Sequence, residues 1–274
     1  MNWKIVHIDE TDSTNRWLKD LQATGGGTSD DEATVVVADY QTAGRGCGTN
    51  TWESERGKNL LFSLLIHPRQ SVSKVTTAAE RSANEATTAA EPLAAKRQFS
   101  ISMAISLAIC DALDQLIGDV SIKWPNDIYW RNGKLGGILI EQTLSGAVIK
   151  DSIIGVGLNV NQRKFLSNAP NPVSLWQISG AETDRDHLLT DILQRFDRLW
   201  GQESVQGRES TQGQALHERY MTRLYRRDGY HPYVDATGPF MARLAGVSAD
   251  GRLLLADDEG NDRCYAFKEV QFVI

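Results

Sequence analysis

Residues 120–160, "VSIKWPNDIYWRNGKLGGILIEQTLSGAVIKDSIIGVGLNV", constrain the fold more than any other stretch of the chain. Proline cannot donate to a strand ladder, so Pro125 breaks the first apolar run and the chain turns at "WPND". Asn132-Gly133 stands between "DIYW" and "KLGGILIE", the strongest short hairpin signal. Ser145-Gly146 turns the chain once more, into "AVIKDSIIGVGLNV". Strands joined by tight turns pair with their neighbours in sequence, so the middle of the protein is expected to be an antiparallel meander.

The flanks mix helix and strand signals without strict βαβα alternation. Asp12 or Ser13 can cap a helix that presents Trp17, Leu18 and Leu21 on one face. "TVVVADY" reads as a short buried strand, and "NLLFSLLIHP" as another that Pro68 ends. Ile101, Ile105, Ala108, Ala112 and Leu116 recur at helical spacing, as do Leu188, Leu189, Ile192, Leu193, Phe196 and Trp200. A shorter helix is expected over 216–224, with Arg223, Arg226 and Arg227 on a solvated helix face. The last 45 or so residues are short strands punctuated by "ADG" and "DEGN", a small β-barrel or sandwich in outline. So small a piece makes a marginal core alone and should dock on the rest. Residues 70–98 are mostly Ala, Ser, Thr and Glu, too poor in large apolar side chains to fix one conformation, and read as an inserted surface loop with transient helix. The fold class is therefore α+β: a mixed, largely antiparallel sheet with flanking helices and a small C-terminal β unit. The expected division is 1–228 and 229–274.

Composition excludes several classes. No apolar run among the 274 residues approaches the roughly 20 needed for a membrane span. The N-terminus lacks the apolar core of a secretion signal, so a cytoplasmic protein is expected. Cys47, Cys110 and Cys264 show no close pairing, which argues against a disulfide framework and a zinc site. A net charge of −6 argues against a broad nucleic-acid surface.

Four stretches carry the chemistry. "QTAGRGCGTNTW", residues 41–52, supplies Gly44, Arg45, Gly46 and Gly48; glycines let consecutive N–H groups converge on phosphate oxygens, and Arg45 adds a charge-assisted contact. The same pattern also suits a plain turn between strands. "KWPND" sets Lys123, Asn126 and Asp127 at a bend, where amide and carboxylate lie side by side. "GKLGGILIE" places Lys134 after a tight turn and Gly136-Gly137 inside a strand; "GVGLNV" repeats this with Gly155, Gly157 and Asn159. Glycine inside a strand marks a bulge or a close approach of backbone or ligand. Packing explains either pair alone, whereas both together favour a pocket floor stripped of side chains.

"DSTN", "YQTAGRG…W", "GKNLLFSLL", "KWPNDIY", "GKLGGILIE" and "IGVGLNVN" occur in this order. Together they resemble the bacterial biotin–protein ligases of the biotin/lipoate ligase superfamily, strongly over residues 8–162 and more loosely to the C-terminus, where that family carries an SH3-like domain. The resemblance implies a cytoplasmic ligase. It joins biotin to AMP using ATP and Mg²⁺, then transfers biotin to a lysine of a biotin carboxyl-carrier protein. It implies that Ser13, Thr14, Asn15 and Gln41 line the biotin pocket, together with Gly44, Arg45, Gly46, Cys47, Lys134, Gly137 and Gly155. Trp52 would stack near adenine, with Asn126 and Asn159 on its polar edges and Lys123 nearby. Lys134 and Arg45 would neutralise carboxylate and phosphate, and Asp127 would orient or deprotonate the incoming amine. No protein-held metal ligand is assigned. Homodimerisation is compatible with the resemblance, and neither membrane binding nor a DNA-binding domain before "DSTN" is expected.

Two alternatives stay open on the same residues: a lipoate or octanoate ligase, and a module that binds biotin without transferring it. The chain departs from the family pattern in its loop, where Cys47, Gly48, Thr49 and Asn50 follow "GRG" in place of a basic run. The expectation is a biotinyl-adenylate held less firmly than in relatives with a basic loop, and a Gly48→Arg variant that holds it longer.

Overall fold

The computed structural model describes residues 1–24, 32–72, 89–92, 94, 97–167, 169–206 and 211–274. The sequence order begins β1 (Asn2–Thr11), α1 (Thr14–Ala23), β2 (Glu32–Gln41) and β3 (Leu60–Ile66). The meander follows as β6 (Val120–Lys123), β7 (Asp127–Trp130), β8 (Gly133–Ser145) and β9 (Val148–Leu158). These strands form one seven-stranded sheet in the order β1-β2-β3-β9-β8-β7-β6. Only β1 and β2 pair in parallel. The expected turns all form, two of them shifted by one residue: Trp130 pairs with Gly133, so that tight loop is Arg131-Asn132 with Arg131 at a positive φ of 50°, and Ser145 pairs with Val148, so the next is Gly146-Ala147. Strand β1 was not anticipated; its burial alternates only weakly, because it is an edge strand with one neighbour.

One face of this sheet carries the main core. Helices α2 (Gln98–Leu113), α4 (Arg185–Gln206) and α5 (Thr211–Thr222) belong to it, and α2 is buried nearly all round. The helical run ends at Leu113, so Leu116 lies beyond it and is 49% exposed, not on the core face as its spacing suggested. The short α3 (Leu175–Ser179) is held by a capping box between Ser174 and Gln177. On the opposite face α1 covers Val36, Leu65 and Ile153 through Leu18, with Trp17 and Leu21 beside it.

The ends of the expected insertion are ordered differently from the expectation. Strands β4 (Arg69–Val72) and β5 (Ala89–Pro92) pair as an antiparallel ribbon, and Ala94 bridges to Val148. A backbone ladder needs no large side chains, so poverty in apolar residues did not prevent it. Residues 73–88, and the transient helix expected there, lie outside the described residues.

The C-terminal strands β10 (Tyr230–Asp235), β11 (Gly238–Val247), β12 (Leu253–Asp257), β13 (Asp262–Tyr265) and β14 (Val270–Phe272) form a second sheet, β13-β12-β11-β10-β14, antiparallel throughout. No ladder joins β13 to β14 among the described residues. This sheet docks as expected: Tyr233, Leu253, Leu255 and Val270 join the main core, and Trp124 Nε1 donates to Gly251 O at 2.9 Å. The three arginines expected on a solvated helix face lie past the end of α5 and part ways: Arg227 stays exposed beside Asp228, whereas the other two tie neighbouring elements. Arg223 pairs with Asp111 of α2 and with Asp114 just past its end. Arg226, with φ 59°, donates to Pro232 O and Val273 O.

The bend between β6 and β7 is clamped from below. Tyr220, fully buried on α5, donates its hydroxyl to Pro125 O at 3.1 Å. Tyr220→Phe should lower stability by about 1 kcal/mol in urea unfolding, the net worth of one buried hydrogen bond. A loss below about 0.3 kcal/mol would show that Ser102 Oγ, 3.5 Å from the same carbonyl, takes over.

Candidate active site

Side chains on a strand alternate between faces, so strands that fill the core must also decide what the other face carries. In β3 and β9, Leu60, Phe62, Leu64, Ile154, Val156 and Leu158 enter the main core. The intervening positions present Ser63, Gly155 and Gly157 to the α1 side. Cross-strand register then aligns a row Asp127–Gly137–Gly157–Leu61 and a second row Leu139–Gly155–Ser63. The glycines are there because other side chains lie flat on them. A Cβ at Gly157 would fall 2.6 Å from Trp52 Cε2, and one at Gly155 would collide with the Asn15 amide.

Lys134 reaches this face through a bulge. Gly137 pairs with Asp127 and Gly136 with Ile128, but Tyr129 pairs with Lys134, leaving Leu135 as the extra residue. Without the bulge, Lys134 would sit an odd number of residues from Gly137 and point into the core. With it, Leu135 fills the core and Lys134 Nζ lies 2.8 Å from Asp127 Oδ1 and 5.9 Å from the centre of the Trp52 ring.

Neutral polar groups come from the start of α1 and the end of β2. Gln41 Oε1 accepts from Thr14 N at 2.8 Å and Thr14 Oγ1 at 3.1 Å, taking over helix capping, so that Ser13 makes no side-chain cap. Ser63 Oγ lies 2.7 Å from Thr14 Oγ1 and 2.6 Å from Asn15 Oδ1. Ser13, Thr14, Asn15 and Ser63 are all buried.

Loop 44–52 is a small hairpin and less open than its glycines suggested. Trp52 N donates to Gly44 O, Gly46 N donates to Asn50 O at 2.7 Å, and Arg45 bridges Thr51. Gly44 is needed because a Cβ there would stand 2.7 Å from the Trp52 carbonyl, and Gly46 because of Asn50. The Gly46 N–H is thus spent within the loop and does not join a phosphate cradle. Trp52 Nε1 is buried and has no partner among the described residues.

Each cation of the site is held by a carboxylate or by rings. Arg45 lies 3.3 Å from Glu141 Oε1, which also accepts from Lys19 at 2.7 Å, while Glu141 Oε2 accepts from Asn15 Nδ2 at 2.8 Å. Burial opposes ionisation of Glu141, but the hydrogen bonds from Lys19 and Asn15 and the charges of Lys19 and Arg45 outweigh it and hold the carboxyl below its ordinary range. Lys123 Nζ sits 4.8 Å from the centre of the Phe272 ring, and burial lowers its pKa against the pull of Asp127.

These groups surround one cavity of about 690 Å³, within the usual size of a small-molecule site. It is lined by Ser13, Thr14, Asn15, Gln41, Arg45, Gly46, Cys47, Trp52, Lys123, Asn126, Asp127, Lys134, Gly137 and Gly155, as well as Gly157. Two expected site residues stand outside it. Gly44 closes the hairpin. Asn159 is buried and donates to Lys134 O and Val173 O, and so steadies the backbone beside the bulge. The Asn126 amide nitrogen is spent on Ile138 O. Sequence reading missed Ser63 and Glu141, which only strand register brings to the site, and missed Phe267, Lys268, Gln271 and Phe272, which the C-terminal sheet brings to the cavity wall. Among the described residues no group of three or more His, Cys, Asp or Glu could hold a metal ion, and no helix is long and apolar enough to cross a membrane.

A mixed sheet whose glycine-floored cavity carries neutral amides and hydroxyls on one wall and lysines on another defines a small-molecule site. The chain belongs to the biotin/lipoate A/B protein ligase family, whose model matches residues 9–159. It is 26% identical to the bifunctional ligase/repressor BirA of Bacillus subtilis, over 97% of this chain and 73% of that protein. It is 28% identical to the biotin–[acetyl-CoA-carboxylase] ligase of Mycobacterium tuberculosis, over 71% of this chain and 64% of that one. A biotin protein ligase from Aquifex aeolicus, solved in complex with biotin and ATP, shares the fold with a TM-score of 0.72, 24% identity and coverage of 98% of this chain and 99% of that one.

Two outcomes test this geometry. Gly157→Ala should displace Trp52, cost about 1–3 kcal/mol by overpacking and change the intrinsic tryptophan fluorescence; an unchanged spectrum would show that the indole does not rest on Gly157. A carboxyl whose pKa is depressed by folding stabilises above its ordinary value, and that contribution is lost as pH falls through the folded value. The stability gap between wild type and Glu141→Gln should therefore be full at pH values above the ordinary 4.5 and close below it, as read from urea midpoints. A gap that persists in acid would assign it to packing.

Proposed function

We propose that the chain is an ATP-dependent biotin–protein ligase that forms biotinyl-5'-AMP and passes biotin to a lysine of a biotin carboxyl-carrier protein. The observation that carries this reading is the pairing of a neutral wall with cations in one cavity. Biotin has a neutral ureido ring, which Ser13, Thr14, Asn15 and Gln41 match with donors and acceptors, and a carboxylate tail, which needs Arg45 or Lys134. The names of the relatives and the biotin- and ATP-bound neighbour support the same substrates. In this reading residues 1–228 form the catalytic unit and 229–274 complete its wall.

In the first step a biotin carboxylate oxygen attacks the α-phosphorus of ATP and pyrophosphate leaves. Both reactants are anions, so Lys134 and Arg45 serve by neutralising them and the charge that develops between them. Each must first leave its own carboxylate, Lys134 from Asp127 and Arg45 from Glu141. That exchange frees Asp127. In the second step the amine of the carrier lysine attacks the acyl carbon, AMP leaves, and Asp127 takes the amine proton. Trp52 offers a ring face to the adenylate. The cavity holds one carboxylate, already paired, so these residues do not fit a protein-held metal; Mg²⁺ would enter with the nucleotide as its counter-ion.

Biotin-dependent exchange of labelled pyrophosphate into ATP tests the reading. Wild type should exchange, and Lys134→Ala should exchange about 10²–10³-fold more slowly. Exchange driven by lipoate but not biotin would replace this reading with a lipoate ligase. Exchange with no labelling of a carrier domain would leave an activating protein that does not transfer.

A further inference from the structure

We infer that Lys268, carried by the C-terminal sheet, is the second cation of the glycine loop and binds the acyl-phosphate of the activated biotin. The inference rests on the proposed activity and names a binding residue for it.

Three observations lead there. First, Lys268 lines the cavity with Arg45 and Cys47, and its Nζ packs on Gly48, in the place a Cβ there would need. Second, Lys268 makes no ion pair or hydrogen bond among the described residues, whereas Lys134 and Arg45 are both paired. Its Nζ stands 5.8 Å from the centre of the Phe267 ring, which orients the side chain without neutralising it. Third, Lys268 itself has φ 72°, an uncommon conformation for a lysine, in the turn leading into β14.

The loop and the C-terminal turn are matched. Gly48, with φ 72°, removes the side chain that would fill the place taken by the ammonium group. Among the described residues the cavity lining then carries four cations, Arg45, Lys123, Lys134 and Lys268, against the single carboxylate Asp127. Such a surplus suits a phosphate-bearing ligand. A loop with one arginine is therefore not short of charge, because the missing cation arrives from about 220 residues further along the chain. On this inference Gly48→Arg gains little retention, because an arginine there would adopt a strained φ and compete with Lys268 for the same place, exchanging one cation for another.

The test follows a labelled, hydrolysis-resistant biotinyl-adenylate analogue as it leaves the full-length protein during a chase with unlabelled analogue. Biotin affinity and pyrophosphate exchange are measured beside it. Lys268→Gln should speed release about tenfold or more, the loss expected for one charge-assisted contact, and should flatten the dependence of release on salt. Biotin affinity should stay within about twofold, and Lys268→Arg should restore slow release within about threefold. Wild-type release from Lys268→Gln overturns the inference. So does an equal loss of biotin affinity, which would give Lys268 a structural role. A wild type that binds the analogue and exchanges pyrophosphate, with release indifferent to position 268, sinks this inference alone. A wild type that neither binds nor exchanges sinks the proposed activity.

Discussion

The site depends on the two-residue period of β3, β8 and β9. Those strands are buried on one face in a large apolar core, so their register cannot slip by one residue without turning that core outward. The opposite face inherits this rigidity. Gly137 and Gly157 are cross-strand partners because Ile138 and Val156 are, and Ser63 faces Gly155 because Phe62 faces Val156. Trp52 and Asn15 then lie on a floor positioned by hydrophobic packing on the far side of the sheet.

One bulge breaks the period, and it does so where the chemistry needs it. Leu135 takes an extra place in the core, and the phase of β8 reverses at its N-terminal end. Lys134 is thereby turned onto the ligand face beside Asp127. Asn159 holds the carbonyl of Lys134, and Lys134 N donates to Asn171 O, so the bulge is pinned from both sides.

Much of the fold was legible because it rests on local signals. The turn at Pro125 and the tight turns near Gly133 and Gly146 were readable from adjacent residues, and they determine the meander. The glycines inside β8 and β9 marked a cavity floor for the same reason. What was not legible depends on register between distant strands. Nothing near Ser63 or Glu141 in sequence distinguishes them from ordinary strand residues, and only pairing with Gly155 and contact with Asn15 and Arg45 make them part of the site. Helical spacing carried Leu116 past the end of α2, because periodicity records the face of a helix and not its last turn. The loop glycines were read as a cradle because glycine permits close approach of any group; here the group that approaches Gly44 is the Trp52 carbonyl and the one at Gly48 is Lys268.

Charge at this site is stored rather than simply present. Arg45 is held by Glu141 and Lys134 by Asp127, each pair partly buried, so neither cation is left uncompensated in a low-dielectric cavity. An entering anion need not supply new charge to the site; it exchanges for a carboxylate already there, which limits the net gain in the ground state. The exchange is worth more where extra negative charge develops, because the displaced carboxylates carry one charge each while carboxylate and phosphate reacting together carry more. Asp127, released from Lys134 by the first step, becomes an acceptor for a proton when the second step requires one. The same lysine–aspartate pair thus sets the order in which its two members act.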